Sequence, residues 1–244
     1  MPMNYYYERS QISLGGPLTR AVKIIIISCV VVFLYQFISQ VITGRSEINL
    51  IFGLIPVLVW KKFFIWQLFT YAFLHGGIFH LLFNMFALWI FGCELERHWG
   101  TRVFVKYALI TGIGAGISTV IVSPNLGIPT IGASGLVYGV LLAYGLFFPN
   151  RLIYLYFLFP IKAKYFVLIF GAIELYASLS GSSDNIAHLA HLGGMLFGFF
   201  YLKYYSILYN LRRYYYESKR RRLRRKFQVF EREDDSDEPG RTLH

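Results

Sequence analysis

Six apolar runs, separated by short connections, constrain this chain more than any other feature of its sequence. The first extends from Arg20 to Thr43. The others occupy approximately Gly77–Glu94, Val103–Val122, Gly132–Phe148, Tyr165–Leu179 and Ile186–Tyr205. In hydrocarbon no water pairs with backbone N–H and C=O groups, so runs of this kind span as helices that close their own hydrogen bonds. About 20 such residues cross a bilayer core of about 30 Å. Only 15% of the 244 residues are charged, against about 25% in soluble domains. The expected fold is all-α: a polytopic membrane protein built on a bundle of six transmembrane helices. Arg20–Thr43 is read as a span rather than a signal peptide, because its apolar body is long and Val41-Ile42-Thr43-Gly44 makes a poor cleavage site.

Charge divides the chain into three parts. Residues 1–19 form a short polar N-terminal segment, residues 20–207 the membrane domain, and residues 208–244 a basic and then acidic tail. The acidic end, Glu231 to Glu238, reads as disordered. Residues 44–75 are neither soluble loop nor span. Leu50 to Trp60 is short, contains Pro56 and ends in Lys61-Lys62, which suits an interfacial segment, with Trp60 and Trp66 at headgroup depth. Cys29 and Cys93 lie in apolar runs and suggest neither a disulfide framework nor a zinc ribbon. Arg20, Lys23, the Arg97–Lys106 and Arg151–Lys164 clusters, and ten Lys/Arg between Lys203 and Lys226 fall on one side of a six-span count. By the positive-inside rule both termini are then cytoplasmic. The net charge of +11 comes largely from this tail and does not call for nucleic acid. The tail fits anionic lipid, or a solvated charge run that only sets topology.

With the first span running outward, the second, fourth and sixth all begin at the outer face. Their beginnings carry His75, His80 and Asn84; Ser134; and His188 and His191. Polar groups at membrane depth mark functional sites by default. Ser134 sits in Ile131-Gly132-Ala133-Ser134-Gly135-Leu136-Val137-Tyr138-Gly139. Small residues of this kind also serve plain helix packing. Here Gly135 and Gly139 lie just below Ser134, as Gly194 and Gly198 lie below His191, so two glycine ridges facing each other would bring the pair together. Spacing alone does not separate His188 from His191. The ridge does, because His191 is directly above Gly194. Tyr138 is one turn from Ser134, placed to hold an imidazole.

A serine hydroxyl attacks a carbonyl only when a base takes its proton, and neutral histidine is the usual base. The oxyanion then needs donors. Candidates are the Ser134 backbone N–H at a helix start and the side chains of His80 and Asn84, four apart on one face. For a third triad member the sequence offers little: Asp184 is a loop residue, and Glu174 is expected well down the fifth span. The expected machinery is a Ser134/His191 dyad.

These residues resemble the rhomboid intramembrane serine proteases. Gly132-Ala133-Ser134-Gly135 is similar to their GASG nucleophile motif, and Ala190-His191-Leu192-Gly193-Gly194 through Gly198 resembles their AHxxGxxxG segment. His75, His80 and Asn84 match the oxyanion motif of their second helix. Gly92 through Gly100, with Glu96, resembles the segment that closes it. Many members have Trp-Arg in the first loop where this chain has Trp66-Gln67. The resemblance implies a serine endopeptidase that cuts transmembrane segments of other membrane proteins near the outer face, through an acyl-enzyme on Ser134. It implies no metal or organic cofactor, and a bacterial plasma membrane as the home. An inactive rhomboid-like protein that binds transmembrane clients is the alternative. A metal transporter or metalloprotease using His75, His80, His188 and His191 is disfavoured by the lack of HExxH and of a carboxylate beside them. Aspartyl chemistry is disfavoured because no apolar run contains Asp.

Overall fold

The computed structural model describes residues 16–44, 47–155, 159–180 and 185–234. Helix α1 (Arg20–Thr43) coincides with the first apolar run. Three short helices follow, α2 (Glu47–Phe52), α3 (Pro56–Lys62) and α4 (Gln67–Thr70), and then a 3₁₀ turn at Tyr71–Phe73. Pro56 opens α3, where its missing N–H would have had no helical partner.

Gln67 explains how this segment is held. Its side chain is fully buried. Its Oε1 accepts from the Ile55 N–H at 3.0 Å, and its Nε2 donates to the carbonyls of Leu50 and Ile51 at 3.2 and 3.1 Å. One neutral amide thus joins the end of α2, the start of α3 and α4. An arginine has no acceptor and could not make the bond to Ile55.

Helix α5 (Ile78–Ala87), a π turn at Leu88–Gly92 and α6 (Cys93–Trp99) run on without a break. Then come α7 (Thr101–Val122), α8 (Ser134–Phe147), α9 (Ala163–Leu179) and α10 (Asn185–Asp234). Among the described residues three segments are long and apolar enough to cross a membrane: Arg20–Ile42, Ile78–Trp99 and Thr101–Val122. The chain is therefore an integral, multi-pass membrane protein. The fourth run lies on the shorter apolar helix α8, the fifth on α9 and the sixth on the first part of α10.

One expectation needs correction. The fold is mostly helical but not wholly so: Leu152–Leu155 (β1) and Phe159–Lys162 (β2) pair antiparallel, with Leu152 opposite Lys162. Leu152-Ile153-Tyr154-Leu155 is too short to span and rich in strand-forming side chains. Helix α10 continues through the basic run to Asp234. Lys, Arg and Glu are good helix formers, and Arg213 pairs with Glu217 one turn on at 2.7 Å. The remainder of the acidic end, residues 235–238, lies outside the described residues. The chain divides into two units, with residues 5–202 in one and residues 203–244 in the other. The first holds helices α1 to α9 and the beginning of α10.

Its core joins α1, α6, α7, α8 and α9 through Val22, Leu95, Phe104, Val140 and Phe166. One carboxylate anchors the beginning of α1. Glu96, buried on α6, accepts from the backbone N–H groups of Ala21 (2.9 Å) and Val22 (3.0 Å) and from the hydroxyls of Thr19 and Thr101. The first N–H groups of a helix have no partner within it, and Glu96 supplies one from another helix.

Candidate active site

Ser134 is the first residue of α8, so its own N–H is one of the unpaired donors at that helix start. The turn before it is held from outside. The Gly132 N–H donates to the Tyr71 carbonyl at 2.9 Å, and the buried Tyr71 hydroxyl donates to the Gly112 carbonyl of α7 at 2.7 Å. Gly132 has φ of +129°, a conformation that side chains other than glycine's rarely adopt. A Cβ there would lie 2.8 Å from His80 Nε2 and 3.7 Å from Ser134 Oγ. The missing side chain leaves open the space between the serine and the α5 histidine.

Across from Ser134, His191 Nε2 lies 2.7 Å from Ser134 Oγ. The Tyr138 ring stacks on the imidazole, with centroids 4.3 Å apart and planes within 11°. Helices α8 and α10 approach closely enough for this because of glycine: a Cβ on Gly194 would fall 1.9 Å from the Gly135 carbonyl oxygen. The two ridges face each other at Gly135, Gly139 and Gly194 and part at Gly198. Gly198 faces α7, where a Cβ would lie 2.4 Å from the Tyr107 hydroxyl, and Cβ atoms on Gly135 and Gly139 would strike Ala115 and Thr111 of α7. Tyr107 donates to the Gly139 carbonyl at 2.6 Å. The junction is made by three helices, and α7 carried no motif that drew attention to it.

Glu174 is the larger correction. Expected far from the serine, it is buried on α9 with Oε2 3.0 Å from His191 Nδ1 and 2.6 Å from His188 Nδ1. Its other oxygen accepts from the Tyr138 hydroxyl. The His191 contact has hydrogen-bond length but not hydrogen-bond alignment, and His191 Nδ1 has no other partner. Depth explains the miss. Glu174 lies five residues, or about 7.5 Å, from the end of α9, while His188 and His191 lie about 4.5 and 9 Å into α10. Helices α9 and α10 meet end to beginning, so these groups share one level.

A cavity of about 370 Å³ opens onto these groups, lined by His80, Asn84, Ser134, Tyr138 and His191 among others. Asn84 Nδ2 donates to the His80 carbonyl at 2.9 Å, which leaves its second N–H available. His75 is elsewhere: buried, its N–H bonded to Gln36 Oε1 of α1 at 3.0 Å and its ring edge-on to His80. His188 faces Glu174, and its ring centroid is 6.2 Å from that of His191. The structure thus gathers Ser134, His191, His80, Asn84 and Tyr138 at one cavity, with Glu174 in contact with His191 and Tyr138, and leaves His75 out of the lining.

The family model of the Rhomboid domain matches residues 62–207, more than half of the chain. The chain belongs to the rhomboid family. Among its curated relatives are the rhomboid protease GluP and the putative rhomboid protease YdcA, both of Bacillus subtilis (strain 168). The first is 36% identical over 137 residues, which is 55% of this rhomboid and 25% of the relative. The second is 32% identical over 136 residues, 55% of this chain and 64% of the relative. The mitochondrial rhomboid protein 1 of Saccharomyces cerevisiae (strain ATCC 204508 / S288c) is 34% identical over 144 residues, 55% of this chain and 40% of the relative. This rhomboid thus spans less than two thirds of the length of each of these proteins.

Proposed function

We propose that this rhomboid is an intramembrane serine endopeptidase that cleaves transmembrane segments of other membrane proteins, with Ser134 as nucleophile and His191 as general base. The observation that carries the reading is the 2.7 Å contact of Ser134 Oγ with His191 Nε2 beside an open cavity. Ser134 Oγ attacks the scissile carbonyl while its proton passes to His191 Nε2. The tetrahedral oxyanion forms beside the Ser134 N–H, His80 and Asn84, which supply hydrogen bonds to it. His191 then returns the proton to the leaving amine, and water repeats the sequence on the acyl-enzyme. Glu174 extends the expected dyad. As a positioning residue it favours the His191 tautomer with the proton on Nδ1, which leaves Nε2 free to accept from serine. Tyr138 holds the imidazole plane by stacking and the carboxylate by hydrogen bonding.

The same reading has six spans in a membrane domain of residues 20–207, both termini cytoplasmic, and cleavage near the outer face of a bacterial plasma membrane. The basic part of the tail, residues 208–226, lies against anionic lipid. Support comes from the Lys/Arg distribution and from Bacillus relatives among the matches. The test is a fluorophosphonate probe on the purified protein in detergent, with cleavage of a transmembrane reporter measured in parallel. Labelling that maps to Ser134 and disappears in Ser134→Ala is the expected result. A well-folded protein that neither labels nor cleaves would be a client-binding rhomboid instead.

A further inference from the structure

We propose that Glu174, His188 and His191 form a binding site for a divalent transition-metal ion of the zinc class, and that the bound ion switches the hydrolytic site off. The switch rests on the reading of His191 as general base; the site itself does not. One oxygen, Glu174 Oε2, faces the Nδ1 atoms of both histidines, at 2.6 and 3.0 Å. The three ligand atoms lie within 4.8 Å of one another. Two imidazoles and a carboxylate are a common zinc donor set, with metal–ligand distances of about 2.0–2.2 Å. Tetrahedral coordination at such lengths sets donors about 3.3 Å apart, so the two Oε2–Nδ1 pairs open by less than 1 Å while the three atoms, within 4.8 Å of one another, draw in around the ion.

Two further features favour a cation over a simple hydrogen-bonded cluster. Glu174 Oε2 is aligned with His188 Nδ1 and not with His191 Nδ1, so among the described residues the buried His191 Nδ1 is left without a hydrogen bond. An ion between the three atoms would satisfy it. The outer partners that metal ligands need are also present. The Tyr138 hydroxyl holds the other oxygen of Glu174, and Ser134 Oγ lies at Nε2 of His191, where a ring bound through Nδ1 carries its proton.

That last point makes the ion an inhibitor. With Glu174 alone, His191 keeps its proton on Nδ1 and Nε2 accepts from serine. With a metal on Nδ1, the proton moves to Nε2, no proton is lost or gained by the neutral ring, and Nε2 becomes a donor. Ser134 then has no base. The carboxylate that orients the histidine for catalysis is therefore also the group that, with His188, recruits the inhibitor.

The experiment uses the full-length protein in detergent, stripped with a chelator and titrated with zinc, and in parallel with cobalt(II) followed by its visible d–d absorption. One ion per chain is expected. His188→Ala and Glu174→Gln should each weaken binding by at least about 10-fold, since even outer-partner changes cost about 10–100-fold; two chemically different variants guard against one that fails to fold. In the reporter assay, zinc should suppress cleavage by the parent and chelator should restore it. In His188→Ala the zinc concentration for half-inhibition should rise by the same factor as the binding constant, whatever the basal rate. No stoichiometric binding, or binding that both variants leave unchanged, would overturn the site. Binding without inhibition of an active protease would overturn the switch. Binding by a parent protein that cleaves nothing would uphold the site and sink the protease reading instead.

Discussion

Two buried carboxylates, Glu96 and Glu174, lie at helix junctions of this protein, and their partners set them apart. Glu96 is surrounded by donors with fixed positions, the N–H groups of Ala21 and Val22 and two threonine hydroxyls, and it ties α6 and α7 to the beginning of α1. Glu174 faces two imidazoles and a phenol, groups that exchange protons, bind metals and swing on single bonds. A carboxylate saturated by backbone donors acts as a joint. One that shares an oxygen between rings able to carry a proton in either of two places is equipped to take part in chemistry. Burial alone does not distinguish them, since both are at most 5% exposed.

The sharpest way to break this contrast lies beside Glu174. Ser134→Ala and His191→Ala are each expected to abolish reporter cleavage and fluorophosphonate labelling, while the thermal midpoint in detergent stays near that of the parent. Cleavage by either variant would remove the chemistry from the Glu174 side altogether.

Glu174→Gln should lower kcat by about 10²–10³-fold, with KM and thermal midpoint little changed, because the amide keeps the bond to Tyr138 but orients His191 weakly. A KM effect, or a collapse in stability without a kcat effect, would make Glu174 a second Glu96. His80→Ala and Asn84→Ala should each slow turnover by about 10–10³-fold, the range for one oxyanion donor among several. A stable variant of either with full activity would remove that residue from the oxyanion site.

Glu96→Ala reverses the pattern. It leaves two helix-start N–H groups and two hydroxyls without their acceptor, a loss of about 3 kcal/mol for a buried charged hydrogen-bond centre. The expected result is a clearly lower thermal midpoint with kcat per folded molecule within about twofold of the parent. The smallest effect is expected for His188→Ala in chelator-treated protein: cleavage survives, reduced by no more than about 10-fold, because His188 reaches Ser134 only through Glu174 and His191. A dead His188→Ala beside an active His191→Ala would reverse the assignment of the base.

Much of this molecule was legible in its residues. Apolar runs located α1 and the helices after it because backbone hydrogen bonding in hydrocarbon permits little else. Ser134, His191, His80 and Asn84 stand out because polar side chains at membrane depth are rare, Tyr138 because it lies one turn from Ser134, and all five line one cavity. Gln67 stood out as a departure, but its meaning needed three backbone partners that no local pattern names. His75 shared a helix beginning with His80, yet its backbone is tied to Gln36 of α1 and its buried ring lies edge-on to His80, outside the cavity lining.

What the sequence by itself determined is whatever depends on period and chain distance: helix positions, the depth of each polar group along its own helix, and the glycines that permit close approach. Tertiary structure alone decided which helix faces meet. Gly198 packs on Tyr107 rather than on α8, and α7 supplies the third wall of the junction, because three helices share one contact. Glu174 is adjacent to His191 because α9 ends where α10 begins, a relation between two helix ends that no spacing within either helix encodes. The same holds for Glu96, whose partner Ala21 lies 75 residues away in the chain and next to it in space.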